Sequence, residues 1–226
     1  MSAIAERYAQ VRRAVEDAAD VSGRDAANVR IVAVTKHVGP NEVRQAIAAG
    51  CEDLGENRVQ EFLGKYGLFP HANWHFIGTL QSNKVKDVVG RACLIHSVDS
   101  LELLERVDRV AAARGVVQPV LLQVNVAGES SKHGLEPADV EDVLRASLDA
   151  PAVEVRGLMT MAPLAARPDD VRWVFRGLAA LFASLAAMRF NGVELTELSM
   201  GMTNDYRVAV EEGATLVRVG RAIFGR

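Results

Sequence analysis

Segments with helical spacing alternate with short apolar segments typical of strands along the whole chain. Extended segments are predicted at residues 29–36, 51–57, 73–80, 92–100, 118–126, 153–161, within 193–203 and at 215–225. Helical segments are predicted at residues 2–20, 41–49, 58–66, 82–90, 101–114, 137–149, 168–189 and 205–212. Strands that alternate with helices pair in parallel, and the helices then cover the sheet. Eight such units predict an α/β fold of the closed (β/α)8 type, a TIM barrel, because open doubly wound sheets usually contain fewer strands.

The length of the chain suits one barrel of this kind. The sequence has 226 residues, and no internal stretch has the Ser, Gly and Pro composition of a linker. We therefore predict a single domain over 1–226, in which an extra N-terminal helix, 2–20, packs outside the barrel.

The charge and the hydropathy pattern exclude several classes of protein. The formal net charge is −3, which disfavours a basic face for duplex nucleic acid. No apolar run approaches the ~20 residues that span a bilayer, and residues 1–18 form an acid-containing amphipathic helix rather than a signal peptide. Cys51 and Cys93 lack the spacing of metal ligands and of a disulfide framework. We expect a cytoplasmic monomer that binds neither nucleic acid, membranes nor a metal.

Lys36 is the first candidate for a functional residue. It ends the first predicted strand after the apolar run IVAVT, so its amine is expected at the barrel mouth, where barrels of this type carry their active sites. A desolvated lysine has a lowered pKa, and its neutral amine can attack an aldehyde to form a Schiff base. The alternative is a lysine that extends from the strand end into water.

Two strand ends that contain glycine, SMGMT (199–203) and RVGRAIFG (218–225), form the second candidate site. The loops after the last two strands of such barrels often bind phosphate, because small residues allow backbone N–H groups to approach it and hydroxyls add donors. The candidate ligands are Ser199, Gly201, Thr203, Gly220 and the backbone N–H of Arg221. The alternative is that the glycines only form turns. Residues 203–205 also predict an N-cap for the helix at 205–212.

A lysine and a phosphate site at one barrel mouth suggest a phosphorylated aldehyde, and pyridoxal 5′-phosphate (PLP) is the obvious cofactor of that kind. Arg218 shares a strand face with Gly220, and an arginine beside the pyridine nitrogen would keep that nitrogen unprotonated. Alternatively, Arg218 forms a buried ion pair with an acid on a neighbouring strand. Asn57 either bonds a ring hydroxyl or caps the helix at 58–66. His75 is expected to face inward and to form hydrogen bonds.

Seven stretches of the sequence resemble the family of the pyridoxal phosphate homeostasis proteins. They are VAVTK (32–36), LGENRVQE (54–61), WHFIGTLQSNK (74–84), VLLQVNVAGESSKHG (120–134), RGLMTM (156–161), LSMGMTNDY (198–206) and VRVGRAIFG (217–225). They occur in the family's order over almost the whole chain. The combination of WHFIGTLQSNK with SMGM and the lysine of VAVTK is specific for this family. Members of this family are single-domain PLP-binding barrels of fold type III, related to the barrel domain of alanine racemase.

The resemblance implies that Lys36 carries PLP as an internal aldimine. It also implies that Ser199, Gly220 and Arg221 hold the phosphate, with Thr203 nearby. Arg218 would contact the pyridine nitrogen, and Asn57 would lie near the ring. The sequence departs from the family pattern at Arg221, where a small hydroxyl residue is frequent and only the backbone N–H is retained. It also departs at His37, where a small or aromatic residue is expected.

Three functions are compatible with these residues. The first is a non-catalytic PLP holder or carrier in vitamin B6 homeostasis, with PLP-requiring apoenzymes as candidate partners. The second is a PLP-dependent racemase or decarboxylase. The related racemases add a C-terminal β domain whose dimer supplies a tyrosine base, whereas this sequence stops directly after the eighth strand, so we expect PLP binding without robust turnover. The third is a Schiff-base aldolase without a cofactor, which would depend on Glu56 as its acid.

Overall fold

The computed structural model of the protein describes residues 2–129, 133–190 and 192–225, so residues 130–132 of the stretch VLLQVNVAGESSKHG lie outside it. Within the described residues, eight parallel strands pair in chain order and close on themselves. The strands are β1 (Arg30–Val34), β2 (Asp53–Glu56), β3 (Asn73–Phe76), β4 (Leu94–Val98), β5 (Gln118–Gln123), β6 (Val153–Met159), β7 (Glu197–Met202) and β8 (Leu216–Val219). Because β8 pairs with β1, the sheet has no free edge, and the predicted closed (β/α)8 barrel is confirmed.

Helices follow the strands and cover the outside of the barrel. They are α1 (Ala3–Val21), α2 (Pro40–Ala48), α3 (Val59–Leu68), α4 (Val85–Val88), α5 (Leu101–Ala113), α6 (Val140–Ala146), α7 (Arg172–Ala187), α8 (Tyr206–Glu211) and α9 (Arg221–Phe224). Short 3₁₀ turns at 82–84, 137–139, 147–149 and 168–171 flank α4, α6 and α7, so three helices are shorter than their sequence patterns predict.

The first helix packs against the outside of the barrel, as its amphipathic spacing predicts. Its buried stripe includes Ile4, Tyr8, Val11 and Val15, and it contacts α8 and α9. The side chain of Ser2 accepts a hydrogen bond from the backbone N–H of Ala5 and so caps the first turn.

The last predicted strand, 215–225, is wrong in its second half. β8 ends at Val219, and the next residues turn into α9, whose N-cap is Gly220. The apolar residues of RAIFG imitate a strand, but Ile223 and Phe224 are buried on one side of a helical turn. A single turn is too short to show a helical period, so the pattern could not distinguish it from a strand.

Two separate apolar clusters form the core. The larger one lies between the strands and the helices. The smaller one joins Val32, Leu94, Leu121, Met159 and Leu216, which lie on five different strands. The strands of the barrel also carry buried polar side chains, among them His75, His96, Ser199 and Arg218. The barrel interior is therefore only partly apolar, and its polar side chains lead towards the mouth.

Candidate functional site

A cavity of about 680 Å³ opens at the C-terminal ends of the strands, the size range of a small-molecule site. Six of the eight residues predicted from the sequence line it: Lys36, Asn57, Thr203, Arg218, Gly220 and Arg221. Its wall is completed by Val34, Arg58, Ile77, Gly78, Thr79, Gln123, Met161, Pro163, Leu164, Met202, Asn204 and Asp205. The cavity thus gathers side chains from distant parts of the sequence.

Lys36 lies at the mouth of this cavity, but its side chain is exposed. The expectation of a desolvated lysine is therefore wrong, because the loop after β1 carries the side chain to the rim and not into the barrel. His37 turns the chain away directly afterwards with a φ of 61°, in the left-handed region that few residues other than glycine adopt. An exposed amine in this position is free to meet a ligand that enters from solvent.

Thr35, immediately before Lys36, is held by a buried network. Its N–H donates to the carbonyl of Gly55 at 2.9 Å, and its hydroxyl donates to Glu56 Oε1 at 2.6 Å. Lys65 Nζ donates to the Thr35 carbonyl at 2.6 Å and to Glu56 Oε1 at 2.5 Å. Both Lys65 and Glu56 are buried, so the ion pair anchors the backbone from which Lys36 extends.

The same ion pair removes Glu56 from the cavity wall. The second carboxylate oxygen, Oε2, accepts the N–H of Asn57 at 3.3 Å. The aldolase hypothesis required Glu56 as an acid beside the lysine, and this side chain is instead buried against Lys65. Sequence reasoning missed Lys65, although the rarity of lysine in this chain, five in total, could have drawn attention to it.

Asn57 follows β2 and turns its side chain to the cavity. Its Oδ1 atom is buried and has no hydrogen-bond partner in the protein. The backbone approaches closely here, because a Cβ on Gly78 would lie 2.1 Å from the Asn57 carbonyl oxygen, so only glycine fits. Asn57 lies before α3, whose N-cap position is Arg58, so the capping alternative does not apply. A buried amide without a partner is a group that a polar ligand can satisfy.

The opposite wall is formed by the ends of β7 and β8. Arg221 Nη2 donates to Asn204 Oδ1 at 3.0 Å, which holds that side chain at the rim. Asp205 is the N-cap residue of α8, but its side chain makes no capping bond and instead accepts the N–H of Met202 at 2.5 Å. Burial raises the pKa of Asp205. The side chain of Asp205 therefore stabilises the loop before α8 and does not bind the free N–H groups of the first turn of α8.

Ser199 and Gly201 do not line the cavity, which corrects their predicted place in a phosphate site. Ser199 is fully buried, and its hydroxyl is engaged by Arg218 and His96. Gly201 has a φ of +89°, and a Cβ there would lie 2.5 Å from the Cβ of Ala209. Gly201 is thus required so that α8 can pack against β7. The sequence placed both residues at a strand end but did not give their depth below the mouth.

Arg218 lies at the floor of the cavity and is buried. Its Nη1 donates to Ser199 Oγ at 2.5 Å and its Nη2 donates to the Thr160 carbonyl at 2.9 Å. Within the described residues it has no ion-pair partner, so the alternative of a buried ion pair is not what the structure contains. Burial lowers the pKa of Arg218 to about 10, and the charge of Asp205 opposes this shift. The guanidinium remains a cation at neutral pH.

Two histidines extend this chain of hydrogen bonds into the barrel. His96 Nδ1 lies 2.8 Å from Ser199 Oγ, and His96 Nε2 lies 2.8 Å from His75 Nδ1. His75 Nε2 lies 3.0 Å from Asp53 Oδ1, near the opposite end of the barrel. The prediction that His75 forms internal hydrogen bonds is confirmed. Sequence reasoning did not single out His96, although a histidine within the apolar strand LIHSV was a usable signal.

Burial and charge determine the protonation of this chain. Burial lowers the pKa of His96 well below its usual value, and the nearby His75, Arg218 and Arg30 lower it further. Burial would raise the pKa of Asp53, but the hydrogen bond and charge of His75, together with Arg30, hold it below its usual value. At neutral pH His96 is therefore neutral and Asp53 is a carboxylate.

The described part of the chain contains neither a metal-binding cluster nor a membrane-spanning helix. No group of three or more His, Cys, Asp or Glu side chains there could hold a metal ion. None of the helices in these residues combines the length and apolar character needed to cross a membrane.

Comparison with known proteins gives relatives of the same length. Residues 2–226 match the family described as alanine racemase, N-terminal domain. The pyridoxal phosphate homeostasis protein of Aquifex aeolicus is 42% identical over 222 residues, which cover 97% of this chain and 96% of the relative. PipY of Synechococcus elongatus, solved with PLP bound, is 37% identical with a TM-score of 0.85 and covers 98% of this chain and 100% of its own. An alanine racemase of Clostridium difficile is only 12% identical, with a TM-score of 0.74, and this chain covers 59% of it.

Proposed function

Because the chain belongs to the family of the pyridoxal phosphate homeostasis proteins, we propose that it binds PLP at the barrel mouth and serves in the control of cellular PLP. The observation that carries this proposal is that one cavity gathers an exposed lysine, a buried arginine and a buried amide oxygen that lacks a partner. These groups match the aldehyde, the ring nitrogen and the polar ring substituents of PLP, so the residues present fit this cofactor.

Lys36 is proposed to hold the cofactor covalently. PLP supplies an aldehyde that condenses with a primary amine, forming a carbon–nitrogen double bond and releasing one water. The exposed amine of Lys36 can be reached from solvent, and the Lys65–Glu56 pair fixes the carbonyl of the preceding residue. A lysine that is anchored at its backbone and open at its amine suits a protein that both takes up and gives away an aldehyde.

Arg218 is proposed to face the pyridine nitrogen. The guanidinium is a donor only, so it supports a nitrogen that keeps its lone pair and disfavours one that carries a proton. An unprotonated ring withdraws electrons less strongly, which weakens the cofactor as an electron sink. This choice of partner favours storage of PLP over chemistry on it.

Thr203, Gly220 and Arg221 are proposed to contact the phosphate. They lie together on the β7–β8 wall, where Arg221 is held by Asn204. The sequence predicted only a backbone N–H from Arg221. Arg221 also lines the cavity with its side chain, so we propose that its positive charge replaces the hydroxyl that the family resemblance leads us to expect at this position.

The acidic side chains near the cavity support a protein without robust turnover. Glu56 is bound to Lys65, and Asp205 is bound to the backbone of Met202. The racemase or decarboxylase alternative needs a base that is free to remove a proton from the substrate, and both carboxylates are engaged elsewhere. We therefore propose a holder or carrier of PLP, with PLP-requiring apoenzymes as the receivers. The single domain, the monomeric state and the cytoplasmic location stay predictions.

The test is a titration of the purified protein with PLP, followed by absorbance and by borohydride reduction with peptide mapping. Wild type is expected to gain the long-wavelength band of a lysine-bound aldehyde, and the reduced pyridoxyl group should map to Lys36. Lys36→Ala should lose the band completely, whereas Lys86→Ala, which changes an exposed lysine outside the cavity lining, should keep it.

Two results would contradict the proposal. A band that survives in Lys36→Ala, or that never forms in wild type, removes the covalent role of Lys36. Turnover of common amino acids by the loaded wild-type protein, lost in Lys36→Ala, would instead favour the racemase or decarboxylase alternative.

A further inference from the structure

A continuous chain of hydrogen bonds runs along the inside of the barrel, beneath the cavity. It starts at Arg218 on the cavity floor, passes through Ser199, His96 and His75, and ends at Asp53. No heavy-atom distance in the chain exceeds 3.0 Å. The members come from β8, β7, β4, β3 and β2, so the chain exists only when the barrel is closed.

The chemistry of its two ends determines the direction of every proton. Asp53 is a carboxylate and only accepts, so the hydrogen bond from His75 is donated by Nε2. At the other end Arg218 only donates, and within the described residues the Ser199 hydroxyl has His96 Nδ1 as its acceptor. The neutral His96 then carries its hydrogen on Nε2 and donates it to His75 Nδ1. Ser199 is left with its lone pairs for Arg218, which can only donate. All four hydrogen bonds therefore point from Arg218 to Asp53.

The Asp53 end is itself held in place. Arg30 Nη1 lies 3.9 Å from Asp53 Oδ1, and Arg30 Nη2 lies 2.5 Å from Glu197 Oε1. These three charged side chains cluster at the N-terminal end of the barrel. If the carboxylate turned away from His75, it would also lengthen its contact with Arg30. The hydrogens of the histidine pair are consequently set by both ends of the chain, Asp53 and Arg218.

This chain constrains the guanidinium that faces the cavity. The guanidinium is planar and has five N–H donors, of which Nη1 is directed to Ser199 and Nη2 to the Thr160 carbonyl. Two bonds to one rigid plane define its orientation. If Ser199 were free to donate in any direction, its hydrogen could point at Arg218 and repel it.

We propose that Ser199 and His96 are positioning residues that orient Arg218 towards the ring nitrogen of PLP by presenting a hydroxyl which can only accept from it. This inference rests on the proposed function. It assigns to Ser199 a role beneath the ring in place of the phosphate contact expected from the sequence, and it gives a role to the histidine pair in the barrel interior. Fixed partners beneath a binding group reduce the freedom that is lost when the ligand binds.

The experiment compares PLP with its 1-deaza analogue, in which a C–H replaces the ring nitrogen, in Ser199→Ala, His96→Phe and the double variant. Ser147→Ala is the matched control, because Ser147 is also buried and donates to a carbonyl, that of Leu144 at 2.6 Å, in another part of the molecule. Dissociation constants are measured by absorbance or fluorescence, and folding is checked by circular dichroism.

Ser199→Ala is expected to weaken PLP binding about tenfold, the loss of roughly one hydrogen bond to a charged group. It should change the affinity for the deaza analogue less than twofold, because that ligand has no ring nitrogen for Arg218 to meet. The double variant should be no weaker than Ser199→Ala, since both changes interrupt one chain. Ser147→Ala should match wild type for both ligands.

An equal loss for both ligands in Ser199→Ala would overturn the inference, because it would indicate a general change in the cavity. Affinities equal to wild type would also overturn it. If His96→Phe does not fold, the comparison of the two ligands in Ser199→Ala decides alone. Failure of wild type to bind PLP at all would contradict the proposed function, which is a different outcome from either of these.

Discussion

Two buried cations lie beneath the same cavity, and their surroundings differ. Lys65, on the β1–β2 side, pairs with the buried carboxylate of Glu56 at 2.5 Å. Arg218, on the β7–β8 side, donates hydrogen bonds to a hydroxyl and a carbonyl and forms no ion pair with any residue that the structure describes. The charge of Lys65 is balanced by a carboxylate in direct contact. Arg218 instead donates to neutral groups, and the hydrogen-bond chain that begins there ends at the carboxylate of Asp53, at the other end of the barrel.

The difference corresponds to two tasks. A paired ammonium has no remaining attraction for a ligand, so Lys65 serves the backbone at Thr35, from which Lys36 extends. An arginine that forms no ion pair within the described residues keeps both its charge and its remaining N–H donors for whatever enters the cavity. The lysine pair therefore provides rigidity on one side, and the arginine chain provides oriented recognition on the other.

The largest effect is expected on the paired side. Glu56→Gln removes the buried carboxylate from Lys65 and leaves it only the longer contact with the more exposed Glu61, and we expect a loss of about 3–5 kcal/mol in the free energy of unfolding. Urea denaturation measures it. Glu61→Gln is the control, because Glu61 also contacts Lys65 but at the longer distance of 3.6 Å, and its side chain is more exposed than that of Glu56. If both variants lose the same amount, the contrast between a paired and an unpaired cation is wrong.

A smaller effect is expected when the unpaired cation is removed. Arg218→Met leaves only Ser199 and the Thr160 carbonyl without a donor, which costs about 1–3 kcal/mol. The change also removes a guanidinium whose burial is unfavourable, as its lowered pKa indicates. Urea denaturation should rank this variant above Glu56→Gln in stability. The reverse order would show that the arginine chain behaves as a buried ion pair.

The smallest effect is a pH dependence that belongs to the arginine chain. Because burial, His75, Arg218 and Arg30 lower the pKa of His96, the unfolded chain takes up a proton below pH ~6.5 that the folded protein does not. Stability should therefore fall with decreasing pH below that point, by up to about 1.4 kcal/mol per pH unit for this group.

His96→Phe should reduce this slope, and His71→Gln, which changes an exposed histidine, should leave it unchanged. The free energy of unfolding is measured by urea denaturation between pH 5 and 7.5, a range chosen to bracket the usual pKa of histidine, ~6.5. A slope that is the same in His96→Phe and wild type would contradict the protonation state assigned to the chain.

The site was predictable where it depends on strand ends. Lys36, Asn57 and Gly220 were each predicted at the C-terminal end of a strand, and parallel strands bring such positions to one end of a barrel. Arg218 follows from Gly220 by strand alternation. These inferences need only local patterns and one topological rule, so they hold in the structure.

The rest depended on depth and on contacts between distant residues. Ser199 was placed on the correct strand, but it lies deeper in the barrel than predicted. A strand pattern in the sequence does not give the distance of a residue from the barrel mouth. Its partner His96 is 103 residues away in the chain. Lys65 lies in the middle of a helical pattern, where a lysine is normally solvated, and only packing against β1 and β2 shows that it is buried.

By itself, the sequence determined the number and order of the strands, the closed barrel and the end at which polar residues gather, since hydrophobic periodicity and chain order carry that information. Only the tertiary structure decided that Lys36 is exposed, that Glu56 is neutralised by Lys65, and that Arg218 is oriented by a chain ending at Asp53. The reason is physical: burial and hydrogen-bond direction are properties of the closed barrel, because each depends on atoms that meet only when strands far apart in sequence become neighbours.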